Sequence, residues 1–87
     1  MMSATTFDYA EVADKAMKAL RGAFPNAAIE TEEGFGGRVH VRIITPDLNG
    51  RGEREKQAVV WEVLNRELGE CAQGVSIVLP YGTDELP

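Results

Sequence analysis

The sequence predicts an α+β fold: a two-layer sandwich in which a three-stranded mixed sheet carries both helices on one face, in the order α-β-β-α-β. Three observations predict it. Segments 7–24 and 53–68 repeat apolar residues at helical spacing. The stretch 38–45 alternates apolar with polar residues, as a strand with one covered face does. A third apolar run, 75–80, follows the second helical segment, so a helix is available for the crossover that a parallel strand pair requires.

The first helix opens on Asp8 with Glu11 three residues on, a pairing that can satisfy the first orphan amides, and Phe7 and Val12 are placed to pack as a staple. Val12, Ala16, Leu20 and Ala23 form its apolar stripe with Ala13, Met17 and Phe24 beside them, while Asp14, Lys15, Lys18 and Arg21 take the wet side. Pro25 disfavours helix at Phe24 and ends it. Ala27 to Glu33 then reads as a short, partly exposed strand. Gly34, Gly36 and Gly37 around Phe35 supply a tight connection, after which Val39, Val41 and Ile43 face one side and Arg38, His40 and Arg42 the other.

Turn formers crowd the stretch from Pro46 to Gly52, which reads as a loop. The second helix runs from Glu53 to Leu68 on a stripe of Val60, Leu64 and Leu68, flanked by Val59 and Val63, with Gly69 placed to terminate it. Val75, Ile77 and Leu79 alternate with Ser76, Val78 and Pro80 as the third strand. The whole chain, 1–87, reads as one domain with an ordered core over about 7–80 and flexible ends at 1–6 and 81–87.

A chain of 87 residues leaves no room for a large catalytic scaffold. It removes only about 60% of its unfolded surface from water, so its core must be packed efficiently. One cysteine, Cys71, permits no internal disulfide and fits a reducing compartment. No apolar run approaches the ~20 residues of a membrane span, and Met1 to Thr6 carry neither a basic nor an apolar leader segment. The expectation is a cytoplasmic protein with no membrane partner, a monomer or weak dimer.

Residues able to carry chemistry are few. His40, the sole histidine, has no ligand or base beside it in sequence and reads as a surface strand residue. Cys71 has no second thiol and reads as a small apolar residue closing the helix end. Trp61, beside Val60 and Leu64, reads as core or core margin rather than an interface anchor. No nucleophile and base stand at a recognisable spacing, no phosphate-binding or dinucleotide motif is present, and no enzyme is expected. The charge is uneven: between residues 38 and 56 five bases, Arg38, Arg42, Arg51, Arg54 and Lys56, meet three acids, a balance of +2 in a chain of net −5. These five form the candidate partner or nucleic-acid surface.

The chain resembles the BolA family. The resemblance is carried by Ala23-Phe24-Pro25 with Ala28-Ile29-Glu30 after it, by Val41-Arg42-Ile43-Ile44-Thr45-Pro46-Asp47-Leu48-Asn49-Gly50, and by Val60-Trp61-Glu62-Val63-Leu64-Asn65-Arg66-Glu67-Leu68. It covers nearly the whole chain and implies a class II KH-like fold and a non-enzymatic, stress-linked regulator. DNA binding, and an iron-sulfur cluster shared with a monothiol glutaredoxin, are the two activities it implies. The departures fall on the cluster chemistry. Lys56-Gln57-Ala58 stands where the family has basic-His-Arg, Ser76-Ile77-Val78 where it has His-Ala-Leu, and Thr83-Asp84-Glu85 where it has Thr-Pro-Glu. Serine is no iron ligand, so no cofactor and no metal site are expected. The function expected is that of an adaptor or regulator whose partner is a protein, a monothiol glutaredoxin by resemblance. Its surface would be the Thr45 to Lys56 loop, the start of the second helix and the edge of the third strand. The alternative is a weak nucleic-acid-binding module using Arg38, Arg42, Arg51, Arg54 and Lys56.

Overall fold

A computed structural model describes residues 7–86. Helix α1 (Tyr9–Ala23) leads to strands β1 (Ala28–Glu33) and β2 (Val39–Ile44), then helix α2 (Glu53–Leu68) and strand β3 (Val75–Tyr81). The sheet order is β1-β2-β3, with β1 antiparallel and β3 parallel to β2. Both helices contribute to a core built on Leu20, Val39, Val41, Ile43, Leu48, Val60 and Leu64, each essentially removed from water. Burying such a side chain stabilises by roughly 1.5–3 kcal/mol.

The ends of α1 follow local chemistry. The Asp8 carboxylate accepts the Glu11 N–H at 3.2 Å, and the Phe24 N–H reaches the Leu20 carbonyl at 2.7 Å before Pro25 stops the helix. Only half of the anticipated capping pair forms, because the Glu11 carboxylate turns to Lys15 at 3.3 Å. Ala23, expected in the stripe, is the last residue of the helix and is exposed, while Leu20 and Phe24 on either side of it enter the core. Phe7 is tied to the hairpin tip: its N–H donates to Gly36 at 3.0 Å, and a Cβ on Gly37 would lie 1.9 Å from the Phe7 carbonyl oxygen. Gly36 and Gly37 also hold φ of 70° and 78°, so glycine is required at Gly37 twice over.

Strand β3 corrects the alternation read from sequence. An unbroken alternation from Val75 would turn Ile77 and Leu79 inward together. The register instead runs Val39 opposite Val75 and then His40 opposite Ile77, leaving Ser76 as an extra residue. One inserted residue inverts every side chain after it. Val78 and Pro80 therefore enter the core layer, and Ile77 and Leu79 are 42% and 44% exposed on the helix-free face.

The chain end was expected to be flexible from Tyr81 on; the structure docks it. Tyr81 closes β3, accepting the Thr45 N–H at 3.0 Å, and Thr83–Glu85 make a helical turn packed on the loop before α2. Residues 1–6 and Pro87, also expected to be flexible, lie outside the described residues.

Candidate interaction surface

The loop between β2 and α2 is built from the inside outward. Thr45 is fully buried; its hydroxyl donates to Asp47 at 2.9 Å and accepts the Asp47 N–H at 3.3 Å, capping the short turn Pro46–Leu48 and driving Leu48 into the core. The docked chain end then covers the loop from outside. Asn49 exchanges hydrogen bonds with the Thr83 hydroxyl and accepts the Asp84 N–H at 3.1 Å, and the Gly50 N–H donates to Asp84 at 2.9 Å.

Lys56 joins the two layers. Its side chain is only 3% exposed, and its ammonium donates to both oxygens of Glu85 at 2.7 Å, with Glu53 at 3.3 Å and the Tyr81 ring 5.9 Å away. Glu85 also accepts the Gly82 N–H at 2.7 Å. The hydrogen bond from Lys56, reinforced by that from Gly82, holds the Glu85 carboxyl below the usual carboxylate range. Its bond to Glu85 raises Lys56 above the usual lysine value despite burial.

Lys56 was expected on an exposed basic surface, and this placement corrects that expectation. The signal was present: Lys56 stands four residues before Val60, at the head of the stripe through Leu64 and Leu68. The other four bases are dispersed. Arg38 is half-buried with its guanidinium 5.4 Å from the Phe7 ring centroid, Arg42 pairs with Glu30 on the open sheet face, and Arg51 pairs with Glu55. Among the described residues Arg54 alone of the five makes neither an ion pair nor an aromatic contact. Arg38 precedes β2 while Arg51 and Arg54 follow it, and that strand alone spans about 20 Å. The set does not converge on one patch.

Gln57, which the sequence marks only as a departure from the family's basic-His-Arg segment, locks α2 to the sheet edge. Its amide donates to the Val78 carbonyl at 2.8 Å and to Glu53 at 3.2 Å, and accepts the Trp61 indole N–H at 3.1 Å. Because Tyr81 turns its carbonyl toward β2, the alternate residues Val78 and Pro80 turn their backbone groups outward. Pro80 has no N–H and the Val78 carbonyl is taken, so the β3 edge is largely closed to a further strand. Trp61 and Cys71 pack at the core margin, and the Lys15 ammonium lies 3.6 Å from the Cys71 sulfur. Its bond to Glu11 and, less, the Cys71 neighbour raise the Lys15 pKa. His40 lies on the open face as expected, with its ring against Gly34, where a Cβ would sit 2.5 Å from Nε2.

No group of three His, Cys, Asp or Glu side chains converges among the described residues in a way that could hold a metal ion, and no helix among them is long and apolar enough to cross a membrane. Element order, mixed sheet and one-sided helices together define a BolA-like α+β fold. A solved structure, BolA1 from Arabidopsis thaliana, shares it with a TM-score of 0.71 at 15% sequence identity, over 87% of this chain and 96% of that one. No protein-family model matches the chain, and no curated protein matches it in sequence.

Proposed function

We propose that the protein is a non-enzymatic BolA-like adaptor or regulator that acts by binding another protein, with a monothiol glutaredoxin as partner. The observation that carries this reading is the shared fold over 87% of the chain. The loop from Thr45 to Lys56 supports it, because the bonds from Thr83, Asp84 and Glu85 hold it in one shape, and a pre-shaped loop loses little entropy on binding. Stress-linked regulation in the cytoplasm belongs to the same reading.

The residues present do not fit an iron-sulfur cluster. Ser76, set by the resemblance where the family has histidine, offers an exposed hydroxyl, and the Gln57 amide is committed to Val78, Glu53 and Trp61. The complex is therefore proposed to be colourless. Co-elution with a purified monothiol glutaredoxin on size exclusion, without visible absorbance, is the expected result; separate elution removes glutaredoxin as partner. The dispersed placement of Arg38, Arg42, Arg51 and Arg54 and the burial of Lys56 weigh against nucleic-acid binding. A salt-dependent affinity for duplex DNA or RNA would restore that reading.

A further inference from the structure

We infer that the outer edge of β1 is a docking site for an extended, basic segment of a partner protein, which adds to the sheet as a fourth strand. The ladder fixes which backbone groups are available. The Gly34 N–H donates to the Arg38 carbonyl at 2.7 Å, so with a period of two the backbone groups of Glu32, Glu30 and Ala28 point to β2. Those of Glu33, Thr31 and Ile29 point away from the sheet, and among the described residues they have no hydrogen-bond partner. They present three donors and three acceptors along about 13 Å of strand. The opposite edge, at β3, is largely closed by Pro80, which has no N–H, and by Gln57, which takes the Val78 carbonyl.

Charge selects the occupant. β1 reads Ala-Ile-Glu-Thr-Glu-Glu, with three acids and no base in six residues. Glu30 is paired with Arg42, while Glu32 and Glu33 make no ion pair among the described residues. A second copy pairing through β1 would set glutamate against glutamate, which is destabilising in directly opposed positions. Lysine or arginine at alternate positions of an incoming strand would instead lie beside Glu30 and Glu32. The intervening residues would lie beside the partly buried Ile29, so small apolar side chains suit them. Phe35, 91% exposed two residues beyond Glu33, offers a further apolar contact at the end of the segment. The inference goes beyond the adaptor reading and does not require glutaredoxin to be the partner.

The test uses the whole protein and a synthetic peptide in which lysine alternates with valine, followed by backbone amide exchange in NMR. Saturable binding is expected, with the amides of Ile29, Thr31 and Glu33 protected at least about tenfold. Added salt, and the Glu32→Lys variant, should each weaken the affinity at least about tenfold. A peptide N-methylated at the pairing positions should not bind, because it cannot donate to the ladder. Protection elsewhere, equal binding of the N-methylated peptide, or no binding would overturn the inference. So would a dimer whose Ile29 and Thr31 amides are protected without peptide.

Discussion

The Lys56 ammonium lies 2.7 Å from both carboxylate oxygens of Glu85, joining the buried face of α2 to a residue 29 positions later in the chain. Removing the carboxylate leaves a lysine with 3% of its side chain in water beside the single more distant Glu53. Glu85→Gln should therefore lower the thermal midpoint by several degrees, and a Lys56→Met, Glu85→Gln double variant by less than the sum of the singles. Additive midpoints would show that the two residues do not act as a pair.

The same pair sets a pH window. The Glu85 carboxyl is lowered from 4.5 on folding, so its contribution is present above that value and is lost as pH falls through the lower folded value. Lys56 is raised from 10.5, so its contribution is present below that value and is lost as pH rises through the higher folded one. The stability difference between the wild type and Glu85→Gln should be flat across neutral pH and shrink on acidification below about 4.5. Denaturation midpoints at stepped pH measure it; a difference that grows toward acid would contradict the assignment.

The inversion along β3 makes neighbouring positions behave oppositely. Val78→Ala should cost about 2 kcal/mol by removing buried methyls. Leu79→Thr, on the open face, should change stability by no more than about 0.5 kcal/mol. Urea denaturation of the two variants decides it, and the reverse ranking would place the bulge elsewhere.

Two glycines with nearly equal φ should tolerate alanine unequally. Gly50 holds φ 77° with open space around it, so Gly50→Ala should cost roughly 1–2 kcal/mol of backbone strain alone. Gly37 adds the clash with the Phe7 carbonyl, and Gly37→Ala should cost measurably more and disturb the Phe7 to Gly36 hydrogen bond. Equal costs in chemical denaturation would argue against the contact between Phe7 and the hairpin tip.

Gln57→Ala should leave the indole N–H of Trp61 and the Val78 carbonyl without their partners. A loss of roughly 1–3 kcal/mol is expected, with faster exchange of the indole proton and an upfield shift of its resonance. An unchanged indole signal would mean that Gln57 does not hold Trp61.

The helices and the antiparallel hairpin were legible because their signals are local. Asp8 and Pro25 bracket α1, Gly69 turns to φ 58° at the end of α2, and Val39, Val41 and Ile43 alternate within one covered strand. The phase of β3 was not legible, because the extra residue at Ser76 is defined by the pairing with Val39 and His40 rather than by the strand's own alternation. Lys56 was misplaced for a related reason. Its position on the stripe pointed inward while its charge pointed outward, and the acid that resolves the conflict, Glu85, lies in a terminal segment whose polar composition reads as loose. The dispersal of Arg38, Arg42, Arg51 and Arg54 followed the strand that separates them in space, which a count of charge along the chain does not register.

The parallel pairing of β2 with β3 has a consequence for synthesis of the chain. The hairpin of β1 and β2 closes over a short connection, whereas the second neighbour of β2 is made only after all of α2. Val41 and Ile43 therefore wait in a nascent polypeptide with one flank open, and that interval is when the chain is most exposed to chaperones and to aggregation.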